Sequence, residues 1–187
     1  MEHHLIEKAR KLFSEKITSD TVKMHCTEVE SVMKELAIEM KEDEEKWALA
    51  GLMHDADCDI EHDVKNQGKK AVEMLREIGF SDEDVLHAIL AHNEENTGVN
   101  RQSKFDYALS AADNVSGLIY AYALMRKSIK DMDVSGLKKK FKDKRFAATV
   151  RRDLIKDIEK TGISLDKFLE ISIRAMQKIA DKIGFYK

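Results

Sequence analysis

The chain has 187 residues, enough for one domain with a sizeable buried core. It contains no proline and only 8 glycines, so it lacks most of the turn chemistry of a β-rich fold, and its charged content of 36% is high against a usual ~25%. This composition predicts an all-α fold, and two isolated cysteines, Cys26 and Cys58, exclude a disulfide framework and favour a cytoplasmic protein.

The first two predicted helices are amphipathic. Apolar residues recur at helical spacing over residues 5–16, which predicts the first helix. Ser19 or Asp20 can cap the second helix, because their side chains accept hydrogen bonds from the first backbone N–H groups. His25 falls on the apolar stripe of this helix and is predicted to point into the core.

A third helix is predicted to start at Asp43 and to end at the doublet His54-Asp55, where a loop to residue 63 begins. Neighbouring side chains within a helix point about 100° apart. An adjacent His and Asp can therefore face one point only where the helix ends, as it does here.

The middle of the chain predicts two further helices. The first covers residues 64–78 and stops at Gly79. The second follows a capping box at residues 81–84 and reaches His92. A polar loop over residues 93–103 comes next.

A long apolar helix is predicted over residues 105–127. Asp113 is the only charged residue from 107 to 125. A carboxylate in lipid is costly, so we expect a buried central helix and no membrane span. A buried carboxylate also requires a partner, which a metal ion, an arginine or a histidine can provide.

In the last third of the chain, the sequence predicts two helices. The first covers residues 146–162, and the second runs from a cap at Ser164 to residue 184.

Residues 138–152 hold eight cations and one acid. Such a stretch is typical of a solvated linker, and it can also attract an anionic substrate. No boundary is visible, so we expect a single domain over residues 1–187, with a core at about 20–125 and a helical extension at about 126–187.

The order of His25, the doublet His54-Asp55 and Asp113 resembles that of the HD-domain metal-dependent phosphohydrolase superfamily, in an HDIG-like prokaryotic branch. The resemblance covers roughly residues 20–120. It implies an HD-domain-type helical bundle in which these four side chains hold a divalent metal ion, with Mn, Fe, Co, Ni, Zn and Mg as candidates. Imidazole and carboxylate ligands together suit such ions.

The resemblance also bears on further residues. In many members, additional histidines bind a second ion, and His62 and His92 match these here. One ion is expected, and a second stays open. For the reaction, His92 and Asp57 are the predicted groups that move a proton or orient the nucleophile.

The chain departs from the family pattern after the doublet. Many members read His-Asp-Ile-Gly-Lys, in which the lysine helps to hold phosphate, whereas residues 54–58 read His-Asp-Ala-Asp-Cys. A substrate phosphate must then meet another cation. Arg101 is the first choice, and Lys65, Lys69 and the basic segment after Lys138 are alternatives.

The resemblance implies hydrolysis of a small phosphate ester, for which a nucleotide is one candidate. The expected partner is a small phosphorylated substrate; neither a membrane nor nucleic acid is expected, and homo-oligomers stay open. Two alternatives remain. One is a di-iron oxygenase, which needs both His62 and His92 as ligands. The other is a non-catalytic binding module in which the metal only holds the helices together.

Overall fold

The structure is a computed structural model that describes residues 3–63 and 65–185. Within those ranges the chain forms ten α-helices, one 3-10 helix and no strand, so the predicted all-α fold is confirmed. In chain order the elements are α1 (His3–Lys16), α2 (Asp20–Met40), α3 (Glu44–Met53), α4 (Lys69–Glu77), α5 (Glu83–His92), α6 (Glu94–Thr97), α7 (Lys104–Arg126), α8 (Val134–Lys142), α9 (Arg152–Lys156), the 3-10 helix (Asp157–Thr161) and α10 (Leu165–Lys178). Among these helices, none has both the length and the apolar character needed to cross a bilayer.

The bundle is built around α2 and α7, which pack against each other. Helix α2 also contacts α3 and α10, and α7 also contacts α5, α8 and α9. One cluster of buried apolar side chains runs through the bundle, from Ile6 in α1 to Ile183 beyond α10. Leu109 in α7 and Phe168 in α10 both belong to it. The helices that follow residue 126 therefore share one core with those that precede it.

Helix starts agree with the sequence prediction where a side chain caps the backbone. Ser19 accepts a hydrogen bond from the backbone of Val22 at the start of α2. Asp43 accepts one from Lys46 at 2.9 Å at the start of α3. At α5 the cap is Asp82, one residue later than the Ser81 of the predicted capping box.

Helix α4 begins later than the predicted helix over residues 64–78. Val64 lies outside the described residues, and the four residues after it form turns. Gly68 has a φ of +86°, in the left-handed region that favours glycine, and it lies directly before the helix. Its backbone N–H and that of Ala71 donate to Asp57 Oδ2 at 2.8 and 2.9 Å. The carboxylate of Asp57 therefore fixes where α4 starts.

The helix predicted over residues 146–162 is wrong in its first part, because the segment between α8 and α9 is irregular. The guanidinium of Arg152 donates to the carbonyls of Ala147 at 2.7 Å and Val150 at 2.8 Å. A side chain here satisfies carbonyl groups that a regular helix would satisfy through its backbone. This replacement by a side chain leaves no periodic signal in the sequence.

Two other differences lie nearby. Helix α8 is absent from the sequence prediction, although Asp133 caps it by accepting from the backbone of Gly136 at 2.6 Å. Helix α10 ends at Lys178, whereas the prediction extended it to residue 184. The remaining apolar residues there lie in turns and still pack on the core through Ile183.

Gly51 allows α3 to lie directly on α2. A Cβ atom at this position would lie 2.8 Å from the Cα and N atoms of Glu30, which are backbone atoms that cannot rotate away. We expect Gly51→Ala to lower the free energy of unfolding by about 1–3 kcal/mol, because overpacking forces the two helices apart. Denaturant titration measures this loss. Gly117→Ala in α7 is the matched control, since its Cβ would meet only a Val150 methyl group at 3.6 Å; an equal loss in both variants would contradict the close-packing argument.

Candidate metal centre

His54 is the fully buried residue that ends α3. Its Nδ1 lies 2.8 Å from the carbonyl oxygen of Gly51. A carbonyl only accepts hydrogen bonds, so Nδ1 carries the proton and donates it. The other nitrogen, Nε2, is then left with its lone pair, which is the arrangement by which proteins orient a metal-binding imidazole.

The side chains of His25 and Asp55 lie next to His54 Nε2. His25 from α2 places its Nε2 3.2 Å from His54 Nε2. Asp55, the first residue after the α3 cap, places its Oδ2 3.5 Å from His54 Nε2 and 3.9 Å from His25 Nε2. One ligand atom from each of the three residues lies within 4.8 Å of the others, so the group could hold a metal ion.

Asp113 from α7 approaches the same point. Its Oδ1 lies 3.1 Å from His25 Nε2 and 3.9 Å from His54 Nε2. Its Oδ2 accepts a hydrogen bond from the side-chain amide of Asn114 at 3.2 Å. The structure therefore brings together all four side chains that the sequence order singled out, from α2, the end of α3, and α7.

The spacing of these atoms suits a divalent cation. Two ligand atoms at about 2.1 Å from one ion, separated by 90–110°, lie about 3.0–3.4 Å from each other. Two of the atom pairs above, at 3.1 and 3.2 Å, lie in this range, and the other three, at 3.5 to 3.9 Å, are somewhat wider. The two nitrogens and the carboxylate oxygens also match the ligand preferences of first-row divalent metals. The donor set thus fits the group that the sequence order implies.

His92, at the end of α5, lies on the other side of Asp55. Its Nδ1 is 2.5 Å from the carbonyl oxygen of Ile89, which fixes the same tautomer as in His54. Its Nε2 lies 3.5 Å from Asp55 Oδ1, the carboxylate oxygen that faces away from the His25–His54 pair. His62, in contrast, is exposed on the loop after the doublet and does not join the metal-binding group.

The charges of the cluster are strongly coupled. Burial opposes the protonation of His25, but the hydrogen bond to Asp113 and the negative charges of Asp113 and Asp55 together outweigh it and raise the pKa of His25 to about 9. Burial lowers the pKa of His54. Burial disfavours the ionised form of Asp113, yet the hydrogen bond from His25 and the charges of both histidines lower its pKa. The carboxylates thus attract positive charge, and a bound divalent ion would displace the His25 proton because metal ligands must be deprotonated.

A cavity of about 270 Å³ opens directly onto this centre. Asp55, His92 and Asp113 line one side of it, and Arg101 lines another. Arg101 is mostly buried, with 13% of its side chain exposed, and pairs with Glu94 at 2.9 Å. Its Nε atom is buried and has no hydrogen-bond partner among the described residues.

The other predicted cations and the predicted catalytic Asp57 have different surroundings. Lys65 is exposed and Lys69 half-buried, and neither is among the residues that line this cavity. Asp57 is fully buried, and its Oδ2 is used by the backbone of α4. Burial raises the pKa of Asp57. Its geometry is that of a helix cap, and a direct role in catalysis finds no support here.

Among the residues that line the cavity, sequence reasoning missed Asn114 and named Arg151 only as one cation of the basic segment. Asn114 orients Asp113, and its Oδ1 accepts from the backbone N–H of Arg151 at 3.1 Å. Arg151 itself lines the cavity, where it pairs with Glu95 at 2.7 Å. The only signal for Asn114 was an amide beside Asp113 in an apolar run; Arg151 was hidden within a cationic stretch.

Comparisons with known proteins agree with this geometry. The family model of the HD domain matches residues 22–118. Ribonuclease Y of Oleidesulfovibrio alaskensis is 36% identical over 102 residues, which cover 53% of this chain and 18% of that protein. The match thus spans less than a fifth of that relative. No solved structure gives a significant match.

Proposed function

The chain belongs to the HD-domain family, and from that premise we propose that it is a metal-dependent phosphohydrolase acting on a small phosphate ester. The observation that carries the proposal is the cluster of side chains at the end of α3. The carbonyl of Gly51 fixes His54 so that its Nε2 lies 3.2 Å from His25 Nε2 and 3.5 Å from Asp55 Oδ2, and Asp113 Oδ1 lies 3.9 Å away. A cation that accepts this lone pair and neutralises two carboxylates accounts for the arrangement.

In the proposed site, His25, His54, Asp55 and Asp113 hold one divalent ion. The ion supplies, when bound, acidification of water toward neutral pH and neutralisation of charge on the phosphoryl oxygens. Asn114 holds Asp113 in place through Oδ2, and the carbonyl of Gly51 holds His54. These supporting contacts keep the ligands oriented, and such contacts commonly determine metal affinity.

His92 and Arg101 have separate roles in the proposal. His92 lines the cavity, and its Nε2 is available to accept a proton from attacking water or to return one to the leaving oxygen. Arg101 replaces the lysine that is missing after the doublet. Its largely buried guanidinium interacts with phosphate more strongly than an exposed cation does, because water screens it less.

The alternatives have less support. A di-iron oxygenase needs His62 as a further ligand, and that residue is exposed and away from the cluster. A module in which the metal only holds helices together does not account for a cavity that opens onto the centre. Because one relative is called a ribonuclease, a phosphodiester joins the phosphomonoester among the bonds to be tested.

The test is a panel of phosphomonoesters and phosphodiesters assayed with the purified chain before chelation, after chelation, and after return of single metals. We expect hydrolysis of at least one class, its loss with the chelator, and its recovery with Mn²⁺, Co²⁺ or another first-row ion. Iron content and oxygen consumption measured in the same samples identify the oxygenase alternative. A protein that binds the metal and hydrolyses no phosphoester in the panel would contradict the proposal.

A further inference from the structure

A second cavity lies beside the metal centre, on the segment that leads into α9. It is a groove of about 410 Å³, larger than the metal cavity, and four cations and one carboxylate line it. The lining residues are Lys144, Ala148, Val150, Arg151, Arg152, Asp153 and Lys156. We call it the basic groove.

Arg151 connects the two cavities, because it lines both of them. Its backbone N–H donates to Asn114, which in turn holds the proposed metal ligand Asp113. Its guanidinium pairs with Glu95 at 2.7 Å on one side and with Asp153 at 2.8 Å on the other. The two cavities therefore adjoin at this side chain.

The cations of the groove divide into two kinds. Arg152 donates to backbone carbonyls of the irregular segment and so builds the groove wall. Lys144 and Lys156 are exposed, and neither forms an ion pair with a described residue. The carboxylate of Asp153 is already paired with Arg151. The groove therefore keeps uncompensated positive charge beside a site for phosphate chemistry.

We propose that the basic groove binds the next phosphate of a phosphodiester-linked substrate, such as a short single-stranded oligonucleotide, while the scissile phosphate lies at the metal centre. This inference rests on the proposed phosphohydrolase function and extends it. The groove is larger than a single phosphate requires, so it holds a further nucleotide unit. Contacts to phosphate alone carry no sequence information, and recognition here is independent of sequence.

The binding test uses a fluorescent trinucleotide of deoxyadenylate, with chelator present to stop hydrolysis. Fluorescence anisotropy gives the dissociation constant of the wild type and of Lys144→Gln/Lys156→Gln at several salt concentrations. The slope of log K against log salt is about −0.7 for each phosphate contact on a single strand, so the double variant, which loses the two lysines proposed to contact one phosphate, should lose about 0.7 from the slope. Its dissociation constant should rise several-fold at low salt.

Lys139→Gln/Lys142→Gln is the matched control. It likewise removes two lysine charges from this part of the chain, but these exposed lysines line a different cavity, between α8 and α10. We expect its slope and affinity to equal those of the wild type, and thermal unfolding should be unchanged in both double variants. Equal losses in the two double variants would mean that positive charge in general, and not the basic groove, binds the oligonucleotide. No loss in either variant would mean that the lysines of the groove do not contact it. Both outcomes would contradict the proposal.

An activity measurement separates this inference from the proposed function. Both double variants should hydrolyse a small monoester, p-nitrophenyl phosphate, as the wild type does, whereas the Lys144→Gln/Lys156→Gln variant should show a higher KM for the trinucleotide with metal present. If the wild type hydrolyses neither compound but the salt slope of the Lys144→Gln/Lys156→Gln variant still falls by the expected amount, phosphate binding in the groove is supported and the proposed hydrolase function is contradicted. If the monoester is hydrolysed but the Lys144→Gln/Lys156→Gln variant has the same KM for the trinucleotide as the wild type, the proposed role of the groove is contradicted.

Discussion

Asp55→Asn should abolish both metal binding and phosphoester hydrolysis. The carboxylate of Asp55 is the group that faces both sides of the centre, with Oδ2 toward His25 and His54 and Oδ1 toward His92. An asparagine keeps the size of the side chain but removes the negative charge, and its NH₂ group cannot bind a cation. Loss of a metal ion forfeits several kcal/mol of transition-state stabilisation, so turnover should fall by about 10³-fold or more.

The measurement pairs metal content per chain with the initial rate on the best substrate. Asp63→Asn is the matched control, because it makes the same chemical change in the same loop at an exposed carboxylate whose described contact is with the backbone of Lys65. That control should keep both metal and activity. Circular dichroism should show the helical content of the wild type in both variants. Full metal content in Asp55→Asn would refute the assignment of this residue as a ligand.

Local signals in the sequence predicted the starts of α2 and α3. Ser19 and Asp43 accept hydrogen bonds from backbone groups three residues ahead, and both starts were found. The segment between α8 and α9 was predicted wrongly because no such local signal marks it. The guanidinium of Arg152 holds this irregular segment, and the carbonyl groups that it contacts include that of Phe141, 11 positions away. Such contacts depend on the tertiary fold and leave no repeat of 3.6 residues.

The candidate site divides in the same way. A buried aspartate needs a partner, so Asp113 was visible from burial cost, whereas His25 was singled out by its place in the residue order of the family. The helix end explained how His54 and Asp55 could face one point. Which other residues line the cavity could not be predicted from the sequence. Arg151 reaches Asn114 across 37 positions, and neither composition nor spacing indicates which cation of a basic stretch will line the cavity. Order along the chain predicts the ligands, and only packing identifies the substrate side.

His92→Gln should separate catalysis from metal binding. His92 lies 3.5 Å from Asp55 Oδ1 and lines the cavity, whereas His25 and His54 face the other oxygen of Asp55. Glutamine is similar in length and polar but cannot transfer a proton at neutral pH. The contribution of a positioned acid or base is typically 10²–10⁴-fold, so kcat should fall by about 10²-fold or more while KM changes little.

The metal content of the His92→Gln variant shows whether a lower kcat reflects a lost proton transfer or a lost metal ion. If one ion binds between His25, His54, Asp55 and Asp113, the His92→Gln variant keeps one ion per chain, as the wild type does, and its pH–rate profile loses the limb that reports His92. A fall from two ions to one would instead identify His92 as a ligand of a second ion, bridged to the first by Asp55. Unchanged kcat with unchanged metal content would remove His92 from the reaction, because a buried imidazole whose tautomer is fixed by Ile89 would then serve packing alone.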